Sequence, residues 1–458
     1  MIVMKFGGAA LQNPQSIKKV TSVIKASLSE NPVVVFSAFG KSTRMLEELF
    51  KLCRKGDLEA AYNLIDNNFL PLAQSLFEGE LSAKYETECG NDLIKRIEDL
   101  KNYISSTERE WKSADRDHIV SQGELITSRI IFYILNNEGV ECNWLDAREM
   151  IIGDEKHRFA RPDFNNSVGL VKQEVERCRK ENKLAVTQGF IASTPSGMTT
   201  TLGYEGSDLT ATFLGACIDA DRVELYKTVP GVMTADPNLV PDSKTVSRIS
   251  YEYIEKLTFL RSRILHKNAI QPLIGRDIPL RILNLHKPED DGTTIEDTHN
   301  DDLEHEYFVV GHPDGILISK HPSNGSDPAE SDEIGIILSK RDIAYVPIES
   351  SMEQIQYFIT NKLKMKQASR QLRGIENISW NKDVSLIGII HKSLSDERLI
   401  KLISDTLDAH NAKVLISSSS SDMIILVIQK DNFKQVNNAL HSILREYSAA
   451  DAKLMERK

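Results

Sequence analysis

The sequence predicts an α/β protein: a mostly parallel, helix-layered sheet followed by two smaller ferredoxin-like α+β modules. Three observations carry this. Strand, glycine turn, helix and strand follow one another over residues 2–36, which is the opening of a βαβ unit. The run Val33-Val34-Val35-Phe36 is apolar at every position, as in a strand buried on both faces. Near the C-terminus, residues 384–447 read strand–helix–strand–strand–helix.

Each element has a local reason. Ile2–Phe6 is a short apolar strand, and Pro14 opens a helix with Ile17, Val20, Ile24 and Leu28 on one face. Pro32 ends it. Residues 43–138 are mostly helical: 50–77 and 93–104 are amphipathic, with Gly56 and Pro71 as interruptions, and a helix over 117–135 stops at Gly139. Strand-like chain returns at 184–192. A helix over 209–218, a strand over 222–228, a helix over 250–260 and a last strand at 280–283 follow. Residues 284–294 carry the turn signals Lys287-Pro288 and Asp291-Gly292. The Gly-, Pro-, Ser- and Asp-rich stretch 312–331 predicts a linker or long loop. A first small module starts with strands at 334–338 and 343–348 and a helix from Ser351. The second runs strand 384–391, helix 395–410, strands 413–417 and 423–429, and helix 433–447.

Composition bounds the function. At 458 residues the chain is too long for one core. A net charge of -10 and the lack of a basic stripe argue against nucleic acid as the main partner. The basic cluster at 177–183 reads as solvated helix surface. Cys53, Cys89, Cys142, Cys178 and Cys217 lie far apart with no CxxC pair, so neither a zinc site nor a disulfide framework is expected, and a reducing cytoplasm fits. The N-terminus enters a strand at once, with no signal peptide, and no apolar run approaches the roughly 20 residues of a membrane span.

Two glycine turns carry the chemistry. Lys5-Phe6-Gly7-Gly8 puts a cation at a strand end, before two residues whose lack of side chains lets backbone approach a phosphate. A plain tight turn with a surface lysine gives the same pattern. Residues 201–211 run through a glycine-flanked turn into Ser207-Asp208 and an apolar helix, aiming backbone N–H groups at an anion. An N-cap role alone also accounts for either residue. Glu124, early in a helix, is either a helix-end charge or the receiver of a substrate ammonium. Gly40-Lys41-Ser42-Thr43 is not a P-loop, because Val35 stands where the pattern needs glycine. No protein-kinase signature is present. Residues 229–237 form a structured loop, able to wrap a nucleotide at the carboxyl end of a sheet. Phosphoryl transfer from a nucleotide is the chemistry these turns suggest, and it requires Lys5 to converge with Ser207-Asp208.

Together these motifs resemble the aspartokinases of the amino-acid kinase family. The matches are Lys5–Gly8, Ser37–Thr43, Ser121–Glu124, Thr187–Ile191, Thr200–Ala211, Val229–Pro237 and Ile264–His266, in the family's order, over about residues 1–295. The C-terminal modules, 305–380 and 381–458, look like paired ACT domains, the second matching better. The resemblance implies an α/β/α kinase domain and ATP- and Mg2+-dependent phosphorylation of the L-aspartate side-chain carboxylate to 4-phosphoaspartate. That is the entry step to lysine, threonine and methionine. It implies catalytic roles for Lys5, Gly8 and Asp208, with Ser37, Thr43, Glu124, Phe190 and Ser207 around aspartate. Gly7, Gly206, Lys227, Thr228, Met233, Asp236 and Arg263 fall on the nucleotide side. No metal-ligand set is assigned. Feedback by lysine or threonine and a homodimer or higher homo-oligomer also follow from the resemblance.

The chain departs from the family pattern at several places. Ala9-Ala10 stand for Thr-Ser, and Tyr204-Glu205 for Arg-Gly, which removes a guanidinium that forks onto a substrate carboxylate. Thr228 stands for an aspartate, Arg261-Ser262-Arg263 for Gly-Ala-Lys, and Lys267 for a proline. Arg129 and Arg161 are the sequence's candidates to fill the gap. Three readings stay open: a working aspartokinase with an altered clamp, a non-catalytic homologue that binds an amino acid or nucleotide and regulates a partner, and a kinase of another acidic amino acid.

Overall fold

The computed structural model describes residues 1–106, 110–262, 264–297, 307–320, 333–341, 343–351, 354–360, 365, 368–369 and 371–455. Two compact units emerge. One comprises Met1–Gly231 and His266–Asp297, the other Val232–Leu265 and Thr298–Lys458. The segment Val232–Leu265, which the sequence places among residues 1–295, is thus part of the second unit.

In the first unit six parallel strands are ordered Cys142–Trp144, Leu184–Gln188, Val33–Phe36, Ile2–Phe6, Arg222–Lys227 and Leu280–Asn284. The strand read as the last is followed by one more, Thr293–Glu296, antiparallel to it. The central strands are buried at every position, because helices cover both faces. Phe6 stacks on Tyr226 at 4.8 Å and on Phe36 at 5.9 Å, so one ring row joins three adjacent strands. Helix Pro14–Ala26 starts with the Asn13 side chain accepting from the Ser16 N–H and with Pro14 at its first position; it buries Ile17, Val20 and Ile24. Helix Ser42–Lys55 ends at Gly56 with φ 76°. The Pro71 interruption follows a π-turn at Ile65–Phe69. Helix Gly206–Ile218 is buried along its whole length; its apolar side chains lie on all sides, and Thr210 and Thr212 turn their hydroxyls onto helix carbonyls.

The second unit holds one six-stranded antiparallel sheet, ordered Tyr345–Ser351, Gln354–Ile359, Tyr307–Lys320, Ile378–His391, Met423–Gln429 and Val414–Ser419. Helices Glu397–Ala409 and Phe433–Met455 complete the second small module in the order the sequence predicts. The first module corrects the reading. Residues 334–338 lie in a helix, Glu333–Lys340, since a short apolar run does not distinguish helix from strand. The helix expected from Ser351 is replaced by the hairpin of Tyr345–Ser351 and Gln354–Ile359. Residues 312–320 of the expected linker form the second half of a 14-residue strand. Its turn-like His312-Pro313-Asp314-Gly315 is absorbed by register shifts, and the Ser385 hydroxyl donates to the Pro313 carbonyl at 2.8 Å. The rest of that stretch, 321–331, lies outside the described residues.

Candidate active site

The site residues of the first unit gather at the carboxyl ends of adjacent parallel strands, where α/β sheets bind ligands. Lys5 is the penultimate residue of its strand, and Lys227 ends the neighbouring one. Between them lies Asp208, in the first turn of helix Gly206–Ile218. Lys5 Nζ is 2.5 Å from Asp208 Oδ1, and Lys227 Nζ donates to Oδ2 at 3.0 Å. Burial by itself would raise the Asp208 pKa, but the two ammonium groups overcome that and hold the carboxyl well below its usual range. For Lys227, burial pulls down while Asp208 and Glu205 push up, and the net direction is up. Two cations thus face one buried carboxylate.

The glycine turn packs tightly beside them. A Cβ on Gly7 would sit 3.2 Å from Lys5 Nζ, and one on Gly8 would sit 2.6 Å from the Ala38 carbonyl oxygen. The Gly40 N–H donates to the Gly8 carbonyl at 3.2 Å, and the Ser37 N–H to that of Phe6 at 3.1 Å. Gly8→Ala is therefore expected to force backbone apart and lower stability by roughly 1–3 kcal/mol; chemical denaturation with unchanged m checks it.

Glu124 enters from helix Gln122–Asn137, against the loop that holds Ser37. A Cβ on Gly123 would sit 2.8 Å from the Ala38 Cβ and 3.5 Å from the Ser42 hydroxyl, so this helix lies directly on the Ser37–Thr43 turn. Glu124 is buried, and burial drives its pKa up to about 8; hydrogen bonds from the backbone at Glu124 and Ala38, and the Arg116 charge, oppose the rise only in part. Its Oε2 has no hydrogen-bond partner. A buried carboxyl with one empty oxygen fits the ammonium of an amino acid.

Phe190 takes the left-handed conformation, φ 69°, and its N–H donates to the Thr210 hydroxyl at 2.9 Å. A Cβ on Gly206 would meet the Phe190 ring at 2.8 Å, and one on Gly189 would meet the Ser207 side chain at 2.5 Å. Phe190, Gly206 and Ser207 are thereby one packed corner. Thr43 sits at the start of helix Ser42–Lys55 and is half-buried, while Thr228 is exposed just beyond Lys227. Met233 and Asp236 belong to the second unit. There Met233 bridges Thr245, and Asp236 accepts from the Asn238 backbone at 2.9 Å. Arg263 lies outside the described residues.

The departures have structural outcomes. Tyr204 is 63% exposed, its ring 6.1 Å from that of His266. Glu205 sits at φ 52° and accepts from the His266 N–H at 2.6 Å. Burial raises its pKa; Lys227 opposes this and Asp208 adds to it. The Arg129 guanidinium is bonded to Asp92 at 2.8 Å and lies over Trp144, and Arg161 is exposed. Sequence reading missed the buried pair Arg116–Asp117, although two adjacent charges just ahead of Ser121–Glu124 were a visible signal. Among the described residues no group of three or more His, Cys, Asp or Glu is arranged to hold a metal ion, and no helix is long and apolar enough to cross a membrane.

A sequence model of the amino acid kinase family matches residues 1–284. The chain is 30% identical over 309 residues to bifunctional aspartokinase/homoserine dehydrogenase 2 of Arabidopsis thaliana, covering 66% of this chain and 33% of that one. It spans about one third of the length of the plant bifunctional relatives it matches. It is also 23% identical over 468 residues to lysine-sensitive aspartokinase 3 of Escherichia coli, covering 97% of this chain and 99% of the relative. The crystal structure of E. coli aspartokinase III in complex with aspartate and ADP shares its fold, with a TM-score of 0.79 at 23% identity over 96% of this chain and 99% of that one.

Proposed function

The chain belongs to the amino acid kinase family, and from that premise we propose that it is an aspartokinase, transferring the γ-phosphoryl group of ATP to the side-chain carboxylate of L-aspartate. The observation that carries this is the convergence of Lys5 and Lys227 on Asp208, together with the buried Glu124, one oxygen unpartnered, on the helix that packs on the Ser37–Thr43 turn. An aspartate side-chain oxygen forms a bond to the γ-phosphorus, the bond to the ADP oxygen breaks, and 4-phospho-L-aspartate and ADP leave. Lys5 and Lys227 offset the charge that spreads over the moving phosphoryl oxygens, which is where electrostatic preorganisation contributes most. Gly7 and Gly8 let it pass close to backbone, and the N–H groups at the start of helix Gly206–Ile218 face it. Glu124 takes the ammonium; Ser37, Thr43, Phe190 and Ser207 wall the pocket.

The residues fit a nucleotide phosphate tail, because two cations and side-chain-free turns meet there. Magnesium would come with ATP and be held mainly through the phosphates, offsetting their charge, with Asp208 the carboxylate of this unit that could hold it. All five cysteines are buried free thiols, consistent with a cytoplasmic setting.

Coupled ATP consumption with saturating L-aspartate and Mg2+ tests the activity; folded protein without turnover rejects it, and a panel of acidic amino acids tests the choice of aspartate. The paired modules of the second unit make lysine or threonine the expected feedback ligand, within a homodimer or larger homo-oligomer. Millimolar lysine or threonine is expected to slow turnover several-fold and to raise the melting temperature, since a ligand that binds only the folded state stabilises it. No change in either quantity with both amino acids removes this part of the reading.

A further inference from the structure

Helix Ser113–Val120 carries Arg116, 8% exposed, beside the fully buried Asp117. Arg116 Nη1 donates to Asp117 Oδ1 at 2.7 Å and to the Thr201 hydroxyl at 3.2 Å; Nη2 pairs with Glu47; Nε is buried with no hydrogen-bond partner. The two carboxylates on this guanidinium differ in kind. Asp117 is fixed, accepting also from the Thr201 hydroxyl at 2.9 Å and from the Arg158 N–H at 2.7 Å. Glu47 is the looser partner, with 31% of its side chain exposed, and it stands one helical turn beyond Thr43 on the same face.

The guanidinium is therefore framed by parts of the candidate site. Thr201 ends the strand that leads into the Gly203–Ser207 turn, and the Arg116 charge acts on the Glu124 carboxyl, favouring its ionised form. Lys5 and Lys227, both on Asp208, serve the phosphoryl group in the aspartokinase reading. An α-amino acid carries its ammonium and carboxylate on one carbon, so the two receivers must be close neighbours. Tyr204 brings no cation.

Resting on the aspartokinase reading, we propose that Arg116 receives the α-carboxylate of the amino-acid substrate, and that Glu47 occupies that seat until the substrate displaces it. A planar guanidinium held from behind by a buried carboxylate presents its remaining N–H groups in the fork that a carboxylate matches. Glu47 then acts as an internal competitor for the same charge.

Calorimetric titration of the full chain with L-aspartate and with its α-amide, isoasparagine, tests this without turnover. The wild type is expected to prefer aspartate by tenfold or more. Arg116→Met is expected to weaken aspartate roughly 30-fold or more and to bind both ligands alike. Arg116→Lys restores part of the preference, because it keeps the charge without the fork. Glu47→Gln is expected to do the opposite and tighten aspartate a few-fold, with the preference kept. A folded Arg116→Met that retains the wild-type preference overturns the assignment. Should that variant not fold, unchanged or weaker aspartate binding by Glu47→Gln overturns it instead. A wild type that binds ATP but no acidic amino acid defeats the aspartokinase reading itself, a different outcome from one in which aspartate binds and Arg116 is irrelevant.

Discussion

Lys5→Met is expected to lower kcat by on the order of 10²–10³-fold while leaving the KM for aspartate within a few-fold of wild type. Lys5 Nζ lies 2.5 Å from Asp208 Oδ1 and 7% of the residue is exposed; in the proposed reaction its charge faces the phosphoryl group. The interaction it makes with the moving phosphoryl group is strongest when charge is most spread, so its loss falls on the chemical step rather than on binding. Folding survives, because Lys227 remains 3.0 Å from Asp208 Oδ2 and still balances that buried carboxylate. Asp208→Asn differs in kind: it removes the carboxylate that both buried ammonium groups face and leaves Glu205 to offset them by charge alone, and a lower melting temperature accompanies its loss of rate. Steady-state kinetics and thermal melting of the two variants check this together. A Lys5→Met enzyme with wild-type kcat removes Lys5 from the chemistry.

Glu124→Gln is expected to raise the KM for aspartate roughly 30-fold or more and, at the same time, to make the folded protein more stable at neutral and higher pH. Both effects come from one cause. Burial lifts the Glu124 pKa to about 8, from an ordinary value of 4.5. Between those values the folded chain binds more protons at this group than the unfolded chain does, so stability is fully present below about 4.5 and declines as pH rises through 8. Glutamine has nothing to titrate, so this contribution to the pH slope disappears. Only the ionised carboxylate attracts an ammonium, so aspartate affinity of the wild type is expected to rise with pH up to about 8, and that of Glu124→Gln to stay flat. Melting curves and calorimetry across pH 5–9 measure both. Equal pH slopes in wild type and variant mean that Glu124 is ionised throughout and that its burial takes up no proton.

The amino acid order made some of this legible and hid the rest for definable reasons. Val33–Phe36 announced a strand buried on both faces, and it is one. Lys5 and Asp208 could be paired on paper because each stands at a glycine turn at the edge of an element, where backbone direction fixes what the side chain faces. Arg116 escaped because its importance depends on Thr201 and Glu47, 85 and 69 residues away, and no local pattern encodes such a meeting. Residues 334–338 were misread because four apolar side chains in five positions suit either a buried strand or the inner face of a helix. Residues 312–320 were misread because Pro313 and Gly315 are turn residues by habit. Here a bulge in a long strand accommodates the missing N–H of proline.

The excursion of Val232–Leu265 out of the first unit bears on how the chain is made. A ribosome delivers residues 1–231 well before His266–Asp297, whose strands Leu280–Asn284 and Thr293–Glu296 complete the sheet. Val240, Ile254, Leu257 and Leu260, buried in the finished protein, emerge before most of the second unit exists. Truncation after Asp297 would strand those side chains without their cover. Such a fragment is expected to aggregate or to be held by chaperones, which sedimentation of the truncated chain checks.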